Sequence, residues 1–276
     1  MRALLAVEWF KLWRQRRTYY ALGALLAIEA MVMGSAYLQG AEIIDLALAG
    51  LRDTFYFEGN LLNGNLVTYF LLNSLWFHVP LILIIIVSGL LTTEYKDNTI
   101  QTVFMQPVGR WQYILSKYVV GIGFTLLIVT SLAISSFLFA YLLFGKGDLI
   151  VYLNGLVFYE QESAFWRLVG AFVAGAGITV FYSVVSLTLA VWVRESVTTW
   201  ILSLLFLILA NVLMKVDFNS ELVHQLFFPK LNDTWQYFFI SDIPYPRIAA
   251  NLAVLAVYSI AAMGLGVYRF QKKELG

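Results

Sequence analysis

The chain has 276 residues, of which 61% are hydrophobic and 13% charged, and its formal net charge is +1. Soluble domains carry roughly 45–50% apolar and about 25% charged residues, and their surface scales too steeply with size to hide such an excess. These proportions exclude an ordinary soluble enzyme or binding module. The lack of Cys excludes disulfides and thiolate sites, and two His in all, His78 and His224, argue against a histidine metal centre.

The chain opens on a basic stretch from Arg2 to Arg17. On a helix over Leu4–Arg17, Leu5, Trp9, Leu12 and Trp13 are expected on one face and Glu8, Lys11, Arg14 and Gln15 on the opposite one. Tryptophan on an apolar side and Lys or Arg on the other describe a helix lying in the membrane interface. Residues 1–17 therefore read as an interfacial helix, with Trp9, Lys11, Trp13 and Arg14 its characteristic side chains. The apolar stretch that follows is long enough to span and has no small-x-small cleavage site, so it reads as a retained anchor.

A membrane-crossing helix needs about 20 mostly apolar residues. Six stretches qualify: Tyr19–Leu38, Leu66–Leu91, Gln112–Phe144, Phe165–Val193, Val197–Met214 and Ile248–Tyr268. The fourth and fifth are separated only by the charged turn Arg194-Glu195-Ser196. An even number of spans puts both termini on one side. With the termini in the cytoplasm, 12 of the 18 basic residues fall at inner ends, and most acidic residues fall outside. That is the distribution the positive-inside rule requires. The expected fold is thus an all-α integral membrane domain covering residues 1–276, multi-pass in the cell's inner (cytoplasmic) membrane.

Polar residues interrupt some spans. A charge at mid-membrane costs roughly 2.5–3.5 kcal/mol on insertion scales. Glu29 in the first span is therefore either a polar site or helix contact on a transport path, or a residue closer to the outer interface that snorkels or is protonated. Asn73, His78 and Pro80 break the pattern of the second span and fit a kink better than a catalytic site. Asn211 is placed to hydrogen-bond across a helix interface. The run Gly170, Ala171, Ala174, Gly175, Gly177 reads as close helix packing.

The inner loop between the second and third spans runs from Glu94 to Arg110. Asn98 is expected to cap a short helix, with Gln101 completing a capping-box-like pair. Pro107 should end it. Between those limits Ile100, Val103 and Phe104 share one face, an apolar ridge suited to docking in a groove on a soluble partner. The outer segment 217–247 is too polar to span and rich in aromatic residues, with Pro229, Pro244 and Pro246 dividing it. It reads as short interfacial or re-entrant helices before the last span.

Taken together, the chain resembles the permease subunit of ABC-2 type transporters, the class of bacitracin-exporter-like and nitrous-oxide-reductase-maturation-like permeases. The resemblance covers essentially the whole chain: basic N-terminal helix, six spans, outer insertion before the last span and the basic tail Arg269-Phe-Gln-Lys-Lys-Glu-Leu275. The family's inner-loop pattern falls here on Glu94, Lys96, Asn98-Thr99, Ile100–Met105, Pro107, Arg110 and Lys117. One departure is Asn98 where the family commonly has glycine; asparagine tolerates left-handed backbone better than most residues. The resemblance implies two separate ATP-binding subunits, a second permease copy and a coupling helix at Glu94–Arg110. ATP and Mg would then be held by the partner and no cofactor by this chain. The sequence itself has no P-loop and no G-x-G-x-x-G. No nucleic-acid partner is expected.

The same residues bear on two other function classes. A secondary transporter or an assembly scaffold would need no ATPase, but ion-coupled carriers show internal repeats and broken spans that are not evident here. An intramembrane enzyme needs paired polar catalysts, and neither His78 nor His224 has a sequence-evident partner. The family resemblance favours export of an amphipathic or hydrophobic substrate.

Overall fold

A computed structural model describes residues 1–47, 61–153, 155–216 and 226–272. The charges Arg52, Asp53 and Glu58, the start of segment 217–247 with Asp217 and Glu221, and the tail beyond Lys272 lie outside the described residues. Six helices are long and apolar enough to cross a membrane: Arg16–Gly40, Gly64–Lys96, Arg110–Phe144, Gln161–Val193, Ser196–Leu213 and Tyr245–Lys272. They make the chain a multi-pass membrane protein. Each of the six coincides with a stretch expected from hydropathy, but several extend beyond it by a turn or more, because a helix does not stop where its side chains become polar.

In chain order, α1 is Arg2–Arg14 and α2 is Arg16–Ala47, separated at Gln15, whose backbone is extended (φ −82°, ψ 126°). The Thr18 hydroxyl donates to the Leu12 carbonyl at 2.7 Å across that break. Helix α3 (Gly64–Lys96) begins where the Asn63 side chain accepts from the Leu66 N–H at 3.1 Å. Pro80 sits inside α3 without ending it. Next come α4 (Thr99–Phe104), α5 (Arg110–Phe144), α6 (Gln161–Val193) and α7 (Ser196–Leu213). Arg194 turns the chain between α6 and α7 with a left-handed backbone (φ 64°), and the Glu195 carboxylate caps α7 by accepting from the N–H groups of Val197 and Thr198. A short helix α8 (Phe228–Leu231), a 3-10 turn (Thr234–Phe239) and the last span α9 (Tyr245–Lys272) complete the order.

The core is built on α3 and α6, the most extensively packed helix pair, with α9 and α5 against α6. The small-residue run makes this closeness feasible, as the sequence suggested. A Cβ added at Gly170 would collide with the Phe238 ring, and one at Gly175 with the Trp76 ring.

The helical fold carries one small addition. Strands β1 (Leu149–Tyr152) and β2 (Leu156–Tyr159) form an antiparallel hairpin, with Leu149 opposite Tyr159 and Val151 opposite Val157. Leu149, Val151 and Tyr159 are buried. An Asn-Gly pair between two β-prone tetrapeptides was the available signal. The hairpin is tied to the start of α3: the Asn63 amide donates to the Asp148 carbonyl at 2.6 Å and the Asn65 amide to the Gly147 carbonyl at 2.7 Å.

The described part of segment 217–247 does form short helices. Two of its rings, however, are covered by protein. Trp235 and Phe239 are buried, with Phe239 edge-on to Tyr69 at 4.8 Å between centroids. Arg167 holds the segment in place, donating to the carbonyls of Phe238 and Ile240 at 2.8 Å each and of Ser241 at 3.1 Å.

Candidate functional site

The end of the bundle that carries α1 and α4 also carries a closed ring of four charges. Glu8 and Lys11 come from α1, Glu94 from the last turn of α3, and Lys117 from the second turn of α5. The Lys11 ammonium pairs with Glu8 Oε1 at 3.0 Å and Glu94 Oε1 at 2.8 Å. The Lys117 ammonium pairs with Glu8 Oε2 at 2.8 Å and Glu94 Oε1 at 2.9 Å. Each carboxylate thus meets both cations. Lys117 is 0% exposed, and its third proton goes to the Leu90 carbonyl at 2.8 Å, so all three donors are used. The Tyr113 hydroxyl donates to the other Glu94 oxygen. A buried charge is tolerated only when paired and hydrogen-bonded, and this ring meets that condition around Lys117.

Tyr113 carries the ring outward. Its aromatic face stacks on Phe270 of α9 at 5.6 Å between centroids, and Phe104 of α4 packs edge-on to it at 5.1 Å. An unbroken contact path therefore joins α1 to α4 and α9 through Glu94 and Tyr113. The chemistry of this arrangement is ion pairing, and among the described residues no cluster of His, Cys, Asp or Glu could hold a metal ion.

Several sequence expectations are corrected here. Glu8 is not on an outward polar face. It lies three residues from Leu5 and four from Leu12, so a helix turns it to the same side as those leucines, and it is 2% exposed. Trp9 and Trp13 pack edge-on to Phe124 of α5, at 6.4 and 5.7 Å. Arg14 lies over the Phe10 ring at 4.9 Å. The outward face of α1 joins Ala3, Ala6, Val7 and Phe10 to the exposed Arg2 and Arg14, of which Arg14 is outward as expected.

The α4 ridge is likewise turned inward. Ile100 is buried, and Val103 and Phe104 are partly buried against the core. The face left outward is Gln101, Thr102, Met105 and Gln106, with Met105 86% exposed. Asn98 makes no side-chain cap and no capping box forms with Gln101; its backbone is left-handed (φ 55°, ψ 20°), the geometry that lets asparagine replace glycine. Thr99 opens α4, Pro107 follows its end, and Arg110 starts α5 with a hydrogen bond to the Gln271 carbonyl at 3.3 Å.

Of the polar residues inside spans, Glu29 is buried against α5, accepting from the Ser135 and Ser136 hydroxyls. Asn73 and Asn211 do not reach across an interface. Their amides donate to carbonyls of their own helices, Tyr69 at 2.9 Å and Leu207 at 2.8 Å. A side chain four residues past a carbonyl can close that local bond more easily than a cross-helix one. The ring partners Glu8 and Lys117 stand 109 residues apart in sequence, and no local spacing pairs them.

Glu8 and Lys11 are the two members of the ring outside the membrane-crossing segments. Burial draws the pKa of Lys11 down, but the Glu94 hydrogen bond and the charges of Glu8 and Glu94 more than offset this and raise it above the ordinary lysine range. The stability this gives is fully present below the unfolded-chain pKa and is lost as pH rises through the raised one. Docking of α1 on α5 should hold through neutral pH and loosen only in strongly alkaline solution; the other groups of the cluster are Glu8, Glu94, Lys117 and Tyr113. The emission of Trp9 and Trp13 would report this. A transition between pH 6 and 8 would show that another group governs the docking.

A family model described as "Protein of unknown function (DUF2705)" matches residues 51–275. Over 64 residues the chain is 36% identical to "Uncharacterized protein YhcI" of Bacillus subtilis (strain 168). That match covers 23% of this chain and 20% of the relative, so it spans about one-fifth of the relative's length.

Proposed function

The chain belongs to the family described as "Protein of unknown function (DUF2705)", and from its own residues we propose that it is the membrane-spanning permease subunit of an ATP-driven transporter of the ABC-2 type. The observation that carries this reading is the contact path from the charge ring through Tyr113 to α4. A short helix between two spans, braced against both and against the last span, can pass a push from outside the bilayer into the bundle. A loosely tethered loop would dissipate it.

On this reading two separate ATP-binding subunits hold ATP and Mg and dock on α4. The docking surface is Gln101, Thr102, Met105 and Gln106, while Ile100, Val103 and Phe104 anchor the helix from behind. Glu94, Asn98, Thr99, Pro107 and Arg110 fix its ends. Both termini face the cytoplasm, the membrane is the cell's inner membrane, and a second copy of the chain completes the pathway. The outward apolar strip of α1 at Val7 and Phe10 suits contact with lipid. The cargo is an amphipathic or hydrophobic molecule, and its direction is export.

Isolation of the tagged chain from its native membrane tests this directly, because a P-loop ATPase should co-purify. Met105→Asp should lower substrate-stimulated ATP hydrolysis about tenfold or more, the loss expected when a central interface anchor is replaced by an uncompensated charge. Its own thermal stability should hold, since the side chain is exposed. No co-purifying ATPase together with unchanged transport in Met105→Asp would sink the proposal.

A further inference from the structure

Between α2 and α5 runs an apolar groove of about 530 Å³, lined by Leu26, Met33, Gly34 and Tyr37 on one side and Phe139 and Leu143 on the other. Its volume lies within the range of about 300–1,000 Å³ usual for small-molecule sites. Leu26, Tyr37, Phe139 and Leu143 are exposed along it, so it opens away from the bundle core. One charged group lines it: Glu29, 2% exposed. By helical rise Glu29 stands about 20 Å along α2 from Arg16, well inside the crossing stretch.

The hydrogen bonding of that carboxyl group is incomplete. Ser135 Oγ lies 2.9 Å from both Glu29 oxygens and 3.1 Å from the Leu132 carbonyl, but a hydroxyl has one proton to give. Ser136 supplies a second at 3.1 Å. Two protons at most face about four lone-pair sites, and among the described residues no Lys, Arg or His forms an ion pair with Glu29. In its ionised form a carboxyl group so placed calls for a cation. One carboxylate and two hydroxyls are too few oxygens for calcium, which takes six to eight. The remaining wall is hydrocarbon.

We propose that this groove binds a hydrophobic amine, an amphiphile whose protonated nitrogen pairs with Glu29 while its apolar body lies along Leu26, Met33, Tyr37, Phe139 and Leu143. The charge matches, the depth selects a ligand that partitions into lipid, and the open side admits it from there. Binding requires no ATPase, so this proposal stands or falls separately from the permease reading.

The test uses the full chain in lipid nanodiscs with three chain-matched probes: dodecylamine, dodecanol and dodecanoic acid. The readouts are thermal stability and the rate at which dicyclohexylcarbodiimide labels Glu29, followed by mass spectrometry. Dodecylamine should slow labelling about tenfold or more, the worth of one charge-assisted hydrogen bond, and raise the melting temperature; the alcohol and the acid should do neither. Glu29→Gln should abolish the thermal response to the amine. Gly34→Phe gives a second route should Glu29→Gln not fold: a Cβ at Gly34 meets nothing within 4 Å, so the ring fills the groove and should block the amine with Glu29 intact. Equal effects of dodecylamine and dodecanol, or an amine response that survives both substitutions, overturns the proposal. So does cross-linking that finds Gly34 buried against a second copy of the chain.

Discussion

Lys117→Met should cost the protein about 3–5 kcal/mol, the usual consequence of removing one partner from a buried ion pair. The methionine fills most of the lysine's volume, so a cavity is not the cause. Two carboxylates remain, Glu8 and Glu94, almost wholly enclosed, and each loses its contact to the one cation that is fully buried. Their shared remaining partner, Lys11, is 39% exposed in its side chain and cannot neutralise both. Lys11→Met is the informative contrast. The buried Lys117 would still bridge the two carboxylates and water can reach the Lys11 position, so a cost of about 0–1 kcal/mol is expected, as for a surface pair. The triple variant Glu8→Gln, Glu94→Gln, Lys117→Met removes charge from both sides and should recover most of the Lys117→Met loss. Melting temperatures in detergent, scored by monodispersity after heating, give the ranking. If Lys117→Met melts with the parent protein, the four charges do not form a closed buried ring.

The spans were legible because the bilayer demands one repeated property, about 20 apolar residues in a row, and each stretch declares it locally. The turn at Arg194 and Glu195 was legible for the same reason. The tertiary use of polar residues was not. Glu8 reads as surface when Arg14 and Gln15 are taken as its neighbours on the wheel, but its angular position is shared with Leu5 and Leu12, and only the presence of Lys117 on another helix makes burial affordable. Periodicity groups Ile100, Val103 and Phe104 on one face of α4, yet it gives a face and not its direction. Tyr113 and Phe270 decide that it faces inward. Asn211 and Asn73 show the converse: a polar residue within a span need not join helices when a carbonyl four residues back is in reach. At Glu29 the sequence leaves a polar site or helix contact on a transport path open against a snorkelling or protonated residue nearer the interface; the Ser135 and Ser136 hydroxyls supply the helix contact.

Gly175→Ala is expected to cost about 3 kcal/mol, the upper end of ordinary overpacking. An alanine Cβ there would fall within the Trp76 indole. Where such a collision involves the far end of a flexible side chain, the neighbour rotates away. Trp76 has little room to do so, because its ring is edge-on to Phe172 at 5.8 Å and lies 6.5 Å from Trp235. Relief therefore requires α3 and α6 to separate, and these two helices form the central pair of the bundle. Gly23→Ala and Gly264→Ala are the matched controls: both positions are helical and an added Cβ meets nothing within 4 Å. They should be neutral, or more stable by up to about 1 kcal/mol through the lower backbone entropy of alanine. A double-mutant cycle with Trp76→Leu separates close packing from a general intolerance of α6. The smaller side chain vacates the space the new methyl needs, so Gly175→Ala should cost less in the Trp76→Leu background, by a coupling of about 0.5–3 kcal/mol. Strict additivity would mean that Gly175 is required for another reason and that α3 and α6 do not meet at this glycine. Coupling of the expected sign would locate the axis around which the other spans pack, with the outer segment held to it through Trp235 and Phe238.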